Sequence, residues 1–171
     1  VRAILKLLQS APVVALLGAR QVGKSSLASV IAKKHGGECH RFDLEDPADL
    51  ARLADPGLAL RPLRGLIILD EIQRLPSIFP LLRVLADRAR TPARFLVLGS
   101  ASPDLLRQGP ETLAGRISFY HLTGFDLSEV QAASLERLWL RGGFPRSFLA
   151  GTESASLAWR QNFVRTFLER D

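Results

Sequence analysis

The sequence predicts an α/β fold in which a parallel sheet is covered by helices on both faces and is followed by a small helical appendage. Three observations lead to this prediction. Short apolar runs alternate with amphipathic segments up to Phe125, which is the pattern of strands alternating with helices. The apolar runs are continuous, as expected of strands buried on both faces of a parallel sheet. After Phe125 only helical patterns follow.

Five apolar runs are the predicted strands, at 12–17, 39–44, 66–70, 94–99 and 117–122. The segment before the first of them places polar residues among its apolar ones, so we expect an amphipathic helix there rather than a signal peptide.

The clearest helix between the strands is 75–90, in which one face carries Ile78, Leu81, Leu82, Leu85 and Ala89. In the appendage, segments 127–140 and 154–170 are predicted helices joined by RGGFPRSF. We therefore place the core at 1–125 and a helical lid segment at 126–171.

Composition narrows the classes of protein. No apolar run approaches the ~20 residues that span a bilayer, so no membrane insertion is expected. The chain has one cysteine, Cys39, which excludes an internal disulfide, disfavours a zinc site and fits a cytoplasmic location. The net charge is +6, but the basic residues are scattered along the sequence. We interpret them as solvated helix faces and leave open whether the client is a protein or a nucleic acid.

The segment from Gly18 to Ser25 is GARQVGKS, which matches the phosphate-binding pattern GxxxxGK[ST]. Its glycines allow backbone N–H groups to turn towards a phosphate, and the helix that follows points its positive end at the same anion. Lys24 would contact the outer phosphates, and the Ser25 hydroxyl would bind Mg²⁺. The residues predicted to contact the nucleotide are Gly18, Ala19, Arg20, Gln21, Val22, Gly23, Lys24, Ser25 and Ser26.

A second motif is LIILDE, an apolar strand that ends in Asp70 and Glu71. Asp70 is predicted to bind Mg²⁺ together with Ser25, and Glu71 to orient or deprotonate the attacking water. The alternative is a strand end followed by a helix cap, a role that Asp often takes. The phosphate-binding pattern favours the catalytic interpretation.

Three further polar residues have two interpretations each. Ser100 follows another buried strand, where it would contact the γ-phosphate or the attacking water, or would cap the turn before Pro103. Arg116 is a candidate arginine finger for a neighbouring subunit's nucleotide, or an arginine in an intramolecular ion pair. Arg146 is a candidate nucleotide sensor or a surface arginine.

The only asparagine is Asn162, so an Asn-Lys-x-Asp guanine-recognition motif cannot be present. ATP with Mg²⁺ is therefore the predicted cofactor pair.

The motifs together resemble AAA-type P-loop ATPases of bacteria and archaea that carry a C-terminal domain of unknown function. The resemblance extends from Val13 to Asp171 and is carried by GARQVGKSSL, ILDEIQRLP, FLVLGSASPDLLRQ, ETLAGRISFYHL, WLRGGFP and FVRTFLERD. It implies a three-layer sandwich with a five-stranded parallel sheet of order 5-1-4-3-2. It also implies ATP at Gly18 to Ser26, Mg²⁺ at Ser25 and Asp70, hydrolysis through Glu71 and a sensor at Ser100. Members of the family continue beyond LERD, so we expect the chain to be the ATPase portion of a longer protein.

The leading functional hypothesis is an ATPase that acts as a nucleotide-driven switch or motor. A homo-oligomer is one assembly that this hypothesis allows. Two alternatives stay open. One is a nucleotide-binding regulatory module without turnover, and the other is a small-molecule phosphotransferase.

Overall fold

The computed structural model describes residues 1–88, 93–100, 112–131 and 134–168. The chain divides into two compact units. The first consists of Val1–Gly18 and Lys24–His121, and the second of Ala19–Gly23 and Leu122–Asp171. The boundary predicted after Phe125 stays a prediction. None of the helices in the described part of the chain combines the length and the apolar character that crossing a bilayer requires.

The first unit is built on one parallel sheet. Its strands are β1 (Val13–Leu17), β2 (Cys39–Asp43), β3 (Gly65–Asp70), β4 (Ala93–Gly99) and β5 (Ile117–His121). The spatial order is β2-β3-β4-β1-β5, and all four pairings are parallel. This is the predicted order 5-1-4-3-2, so the predicted fold class is confirmed. The three central strands are almost completely buried, which explains why their sequences are continuously apolar.

Helices cover the two faces of this sheet. They are α1 (Arg2–Ser10), α2 (Lys24–His35), α3 (Pro47–Arg52), α4 (Pro56–Leu60) and α5 (Phe79–Ala86). Helices α1 and α2 contact the central strands, and Ile4, Leu8 and Ile31 are fully or almost fully buried. Helix α5 joins a core with alternate residues of β1, β3 and β4, which point to the opposite face. The sheet is therefore the middle layer of three.

The helix predicted over 75–90 begins later and ends earlier than expected, because α5 ends at Ala86 and the next two residues are not helical. Two 3₁₀ turns, Ile72–Arg74 and Pro76–Ile78, precede α5. The helix starts at Phe79 because Pro80 has no N–H and fits only the first turn of a helix. The predicted apolar face is otherwise present, since Ile78, Leu82 and Leu85 are buried. Ala89 lies outside the described residues.

The second unit is helical. Its elements are α6 (Leu135–Arg141), α7 (Pro145–Phe148) and α8 (Glu153–Phe163), and a π-helical turn, Val164–Leu168, continues α8. The helix predicted over 127–140 is wrong in its first part. The Asp126 carboxylate accepts hydrogen bonds from the N–H groups of Ser128 and Glu129, and this cap holds a turn there. The end of the helix predicted over 154–170 lies outside the described residues.

The guanidinium group of Arg141 holds the helices of the second unit together. Arg141 is 5% exposed, and it donates to the Glu153 carboxylate at 2.9 Å and to the Ala150 carbonyl at 2.5 Å. Ser147 donates to the Arg141 carbonyl at 2.6 Å. Beside this network, a row of rings lies with centroids 5.0–5.8 Å apart, formed by Phe144, Trp159, Phe163 and Phe167.

A stability prediction arises at the start of β3. Gly65 has φ +70°, and a Cβ there would lie 2.1 Å from the Glu38 carbonyl oxygen, which accepts the Leu66 N–H. Gly36 has a similar φ of +72° but nothing within 4 Å of such a Cβ. We expect Gly65→Ala to lower the free energy of unfolding by about 3 kcal/mol or more, and Gly36→Ala by about 1 kcal/mol.

Urea denaturation of the two variants measures the difference. Both substitutions impose the same unfavourable φ, so only the collision with Glu38 distinguishes them. Equal losses of stability would show that the strand start shifts to make room for the new methyl group.

Candidate functional site

The carboxyl ends of β1, β3 and β4 meet at one edge of the sheet. Strand β4 lies between the other two. Gly18, directly after β1, donates its N–H to the Gly99 carbonyl of β4 at 3.4 Å. Asp70 ends β3, and Ser100 follows β4. The first unit therefore places four of the predicted positions, Gly18, Asp70, Glu71 and Ser100, at the same edge, where ligands of open α/β sheets bind.

The loop between β1 and α2 has a backbone suited to its predicted role. Gln21 and Gly23 both have positive φ values, +66° and +101°. The value at Gly23 is one that a residue with a Cβ rarely adopts, so the second glycine of the motif is required by the turn itself. Alternation of left-handed and right-handed residues turns successive N–H groups to one side, which is the geometry of an anion-binding nest.

Helix α2 begins at Lys24, immediately after this loop. Lys24 is 5% exposed, and its ammonium group donates to the Gly18 carbonyl at 2.9 Å. Ser25 and Ser26 are exposed in the first turn, which contains no acidic residue. This helix start therefore offers a positive dipole end, a lysine and hydroxyl groups to an anion, with no carboxylate in that turn to oppose it.

Asp70 is 2% exposed, and both of its carboxylate oxygens are engaged. One oxygen accepts the Glu71 N–H at 3.1 Å, and the other accepts an N–H from Arg41 of β2 at 2.9 Å. A buried carboxylate at the end of β3 fits a divalent cation, because Mg²⁺ binds oxygen ligands and carboxylates in particular. In the structure this carboxylate forms an ion pair with Arg41.

Sequence analysis missed Arg41. Its second N–H group donates to the Ser29 hydroxyl of α2 at 3.0 Å, and Ser29 donates to the Ser25 carbonyl at 2.9 Å. Arg41 thus links Asp70 to helix α2, which begins at Lys24. The available signal was an arginine inside a predicted strand, but only the pairing of β2 with β3 shows which carboxylate it reaches.

Glu71 has an unusual backbone for a non-glycine residue, with φ +53° and ψ +48°. Its carboxylate is half-buried and accepts a hydrogen bond from the side-chain amide of Gln73. The Gln73 amide oxygen is buried and has no hydrogen-bond partner among the described residues. The left-handed turn and the Gln73 contact together hold the Glu71 side chain in one place. Gln73 is the second residue that sequence analysis missed. Left-handed residues of this kind occur at functional sites, where the surrounding structure compensates for the strain.

Arg116 does not join this group. It directly precedes β5, and its carbonyl accepts the Val13 N–H at the start of β1, so it lies at the amino-terminal edge of the sheet. Its guanidinium forms two hydrogen bonds to the Asp87 carboxylate, at 2.6 and 2.8 Å, which lower the pKa of Asp87 below its usual value. These contacts agree with the ion-pair interpretation, and a role on a neighbouring subunit stays a proposal.

In the second unit, the loop residue Gly23 lies beside α7. A Cβ at Gly23 would be 3.9 Å from Pro145 Cγ, which is van der Waals contact. Arg146, the next residue, is exposed. Within this unit, the RGGFPRSF segment therefore lies against the loop that contains the second glycine of the motif.

A known family matches most of the chain. The family is described as an AAA domain, and it matches residues 10–131. The chain belongs to the AAA domain family. A domain of unknown function (DUF8612) matches residues 132–171 of this AAA protein, so the resemblance inferred from the motifs is confirmed.

Two curated relatives of this AAA domain are uncharacterized proteins of Mycobacterium tuberculosis and Mycobacterium bovis. Each is 53% identical over 164 residues, which are 96% of this chain and 37% of the relative. The chain therefore spans little more than a third of the length of these proteins. Among solved structures, the P-loop NTPase domain of a sigma-54 transport activator from E. coli aligns with a TM-score of 0.49 and 19% identity. That alignment covers 69% of this chain and 89% of the other.

Proposed function

We propose that this AAA domain binds Mg-ATP and hydrolyses it to ADP and phosphate. The observation that carries the proposal is the arrangement at the carboxyl edge of the first unit's sheet. The start of α2, with the buried Lys24, lies at this edge together with Asp70 and Glu71. A phosphate-binding helix start beside two carboxylates is what hydrolysis with a bound metal requires.

The residues have distinct proposed roles in binding. Backbone N–H groups of Gly18 to Ser26 and the Lys24 ammonium would hold the phosphates. The Ser25 hydroxyl and the Asp70 carboxylate would hold Mg²⁺, which neutralises charge on the outer phosphates when bound. The choice of ATP over GTP rests on the sequence, which has Asn162 as its only asparagine.

Glu71 is the proposed general base. Its carboxylate would accept a proton from the attacking water, and the amide of Gln73 would keep that carboxylate in position. Ser100, half-buried after β4, would orient the water or contact the γ-phosphate. Water is the proposed acceptor because hydrolysis needs a base beside the metal site, and Glu71 would supply that base without a further substrate.

Incubation with γ-labelled ATP and Mg²⁺ tests the proposal, with labelled products separated by chromatography. Release of free phosphate supports hydrolysis. Tight binding of ATP without turnover, in every assembly state, would instead support a regulatory binding module. Label recovered on an added small molecule, with no free phosphate, would support a phosphotransferase.

The Arg41–Asp70 contact leads to a prediction about the metal. The Arg41 guanidinium competes with Mg²⁺ for the Asp70 carboxylate, so Arg41→Gln is expected to lower the Mg²⁺ concentration for half-maximal nucleotide binding by about tenfold. The guanidinium is 40% exposed, which limits the effect through solvent screening. Titration of Mg²⁺ against a fluorescent ATP analogue measures the shift.

Arg41→Lys is the matched control for that titration. It keeps the positive charge but cannot donate to both Ser29 and Asp70 as the planar guanidinium does. Its Mg²⁺ dependence is expected to stay close to that of the wild type. An unchanged Mg²⁺ dependence in Arg41→Gln would contradict the competition between Arg41 and the metal.

The proposed output of the nucleotide cycle is a movement of the lid segment, 126–171. Support comes from the position of Pro145 beside Gly23 inside the second unit, where the neighbouring Arg146 would sense the nucleotide. Arg116 is proposed to act on the nucleotide of a neighbouring subunit within a homo-oligomer. The proposed location of this homo-oligomer is the cytoplasm. Sedimentation of the full-length protein with and without ATP tests whether it forms an oligomer. Hydrolysis of ATP by a strictly monomeric protein would exclude a role of Arg116 in trans.

A further inference from the structure

Three arginines converge at the amino-terminal edge of the first unit's sheet, opposite the candidate site. They are Arg61 and Arg64, which precede β3, and Arg88, which follows α5. Arg64 and Arg88 donate to the same two carbonyl oxygens, those of Arg61 and Leu63, over distances of 2.7–3.1 Å. Two guanidinium groups that share two acceptors are necessarily close neighbours. We call Arg61, Arg64 and Arg88 the arginine cluster.

The positive charges of the arginine cluster are not balanced by the described part of the chain. No carboxylate of residues 1–88, 93–100, 112–131 or 134–168 forms an ion pair with any of the three. Asp87, the neighbour of Arg88 in sequence, is paired with Arg116. The Nε–H of Arg88 is buried and has no acceptor among the residues that the structure describes. A donor left in this way costs free energy that an added acceptor would recover.

The electrostatic consequence appears at Arg88. Burial lowers the pKa of its guanidinium below its usual value, and the charges of Arg64 and Arg61 lower it further. Like charges that are held together by carbonyl groups repel one another, and an anion bound between them would remove the repulsion.

Further basic residues extend the cluster along the same edge. Ala93 pairs with Gly65 in the sheet, so Arg94 lies at the same end of the strands as Arg64. A groove beside Arg94 is lined by Lys34 and His35, from the last turn of α2. Basic side chains therefore occupy both faces of the sheet at this edge.

We propose that the amino-terminal edge of the first unit binds the phosphodiester backbone of duplex DNA through the arginine cluster and Arg94. Guanidinium groups match phosphate oxygens in geometry as well as charge. The arginine cluster and Arg94 lie along one edge of a rigid sheet, and contacts to the phosphates fix a protein on a duplex without reading its sequence. Single strands are usually held by aromatic rings on which bases stack, and the residues named at this edge are basic rather than aromatic. The proposal does not depend on ATP hydrolysis.

The test uses fluorescence anisotropy of a labelled duplex of about 20 base pairs with hydroxyl ends, titrated with the purified protein at several salt concentrations. The variant Arg61→Gln/Arg94→Gln removes two guanidinium groups that make no hydrogen bond within the described part of the chain. We expect it to bind about tenfold more weakly at 0.1 M salt, and to reduce the slope of log affinity against log salt by about 1–2.

Arg2→Gln/Arg137→Gln is the control, because it removes two exposed arginines that belong neither to the arginine cluster nor to position 94, and it leaves the same net charge. Circular dichroism melting of both variants checks that they are folded. Equal weakening of DNA binding by the two variants would overturn the proposal, since general charge would then explain the binding. Binding to anionic phospholipid vesicles or to an acidic protein, with no binding to the duplex, would also overturn it.

Discussion

The Glu71→Gln variant is expected to hydrolyse ATP about 10²–10⁴ times more slowly than the wild type while binding ATP with similar affinity. Glutamine has the shape of glutamate and can keep the contact with Gln73, but its amide cannot accept a proton from water. The left-handed backbone of Glu71 belongs to the turn after β3 and does not depend on the carboxylate. The substitution therefore separates chemistry from binding and from folding.

Phosphate release under single-turnover conditions measures the rate, and a fluorescent ATP analogue measures the affinity. Glu38→Gln is the control, since Glu38 precedes β2 and is exposed at the other edge of the sheet. Hydrolysis by Glu71→Gln at the wild-type rate would remove Glu71 from the mechanism. A loss of affinity together with the loss of rate would indicate a structural role instead.

Replacing Lys24 by alanine should have the second large effect, raising the dissociation constant for ATP about 100-fold or more. Lys24 is buried at the start of α2, where the loop ends. Its ammonium group contacts the carbonyl of Gly18, where the loop begins. A phosphate in the loop would exchange a carbonyl partner for an anionic one, which forms the stronger hydrogen bond. Alanine removes that interaction without introducing a clash.

Isothermal titration calorimetry with ATP and Mg²⁺ measures the constant. Lys33→Ala is the matched control, because Lys33 is an exposed lysine in the last turn of the same helix. We expect it to bind ATP as the wild type does. Wild-type affinity in Lys24→Ala would contradict the proposed phosphate site, provided that melting temperatures show both variants to be folded.

Local features of the chain were predictable from the sequence. The loop from Gly18 to Ser25 is one continuous segment whose spacing carries its chemistry, and the strand ending at Asp70 is recognisable from its apolar run. The two wrong helix starts also have local causes that are visible in the sequence. Pro76 and Pro80 delay the start of α5, and Asp126 caps a turn where a helix was expected.

Contacts between distant segments were not predictable. Arg41 reaches Asp70 because β2 lies beside β3 in the sheet, and nothing in the local sequence of either strand indicates that partner. The interpretation of the basic residues as scattered solvated faces did not anticipate the arginine cluster. Arg61 and Arg88 are 27 residues apart in sequence, and they meet because α5 returns the chain to the edge at which β3 begins.

The sequence by itself determined that this protein is an α/β AAA domain with a loop of the phosphate-binding pattern, a strand that ends at Asp70 just before Glu71, and a helical region after the sheet. Periodicity, turn residues and motif spacing act over a few residues, so the linear order of the chain is sufficient to recognise them. Only the tertiary structure decided that Arg41 contacts Asp70, that Arg116 pairs with Asp87, and that three arginines converge at the far edge of the sheet. Ion pairs and charge clusters depend on distances of a few ångströms between side chains, and those distances are set by the order and register of the strands.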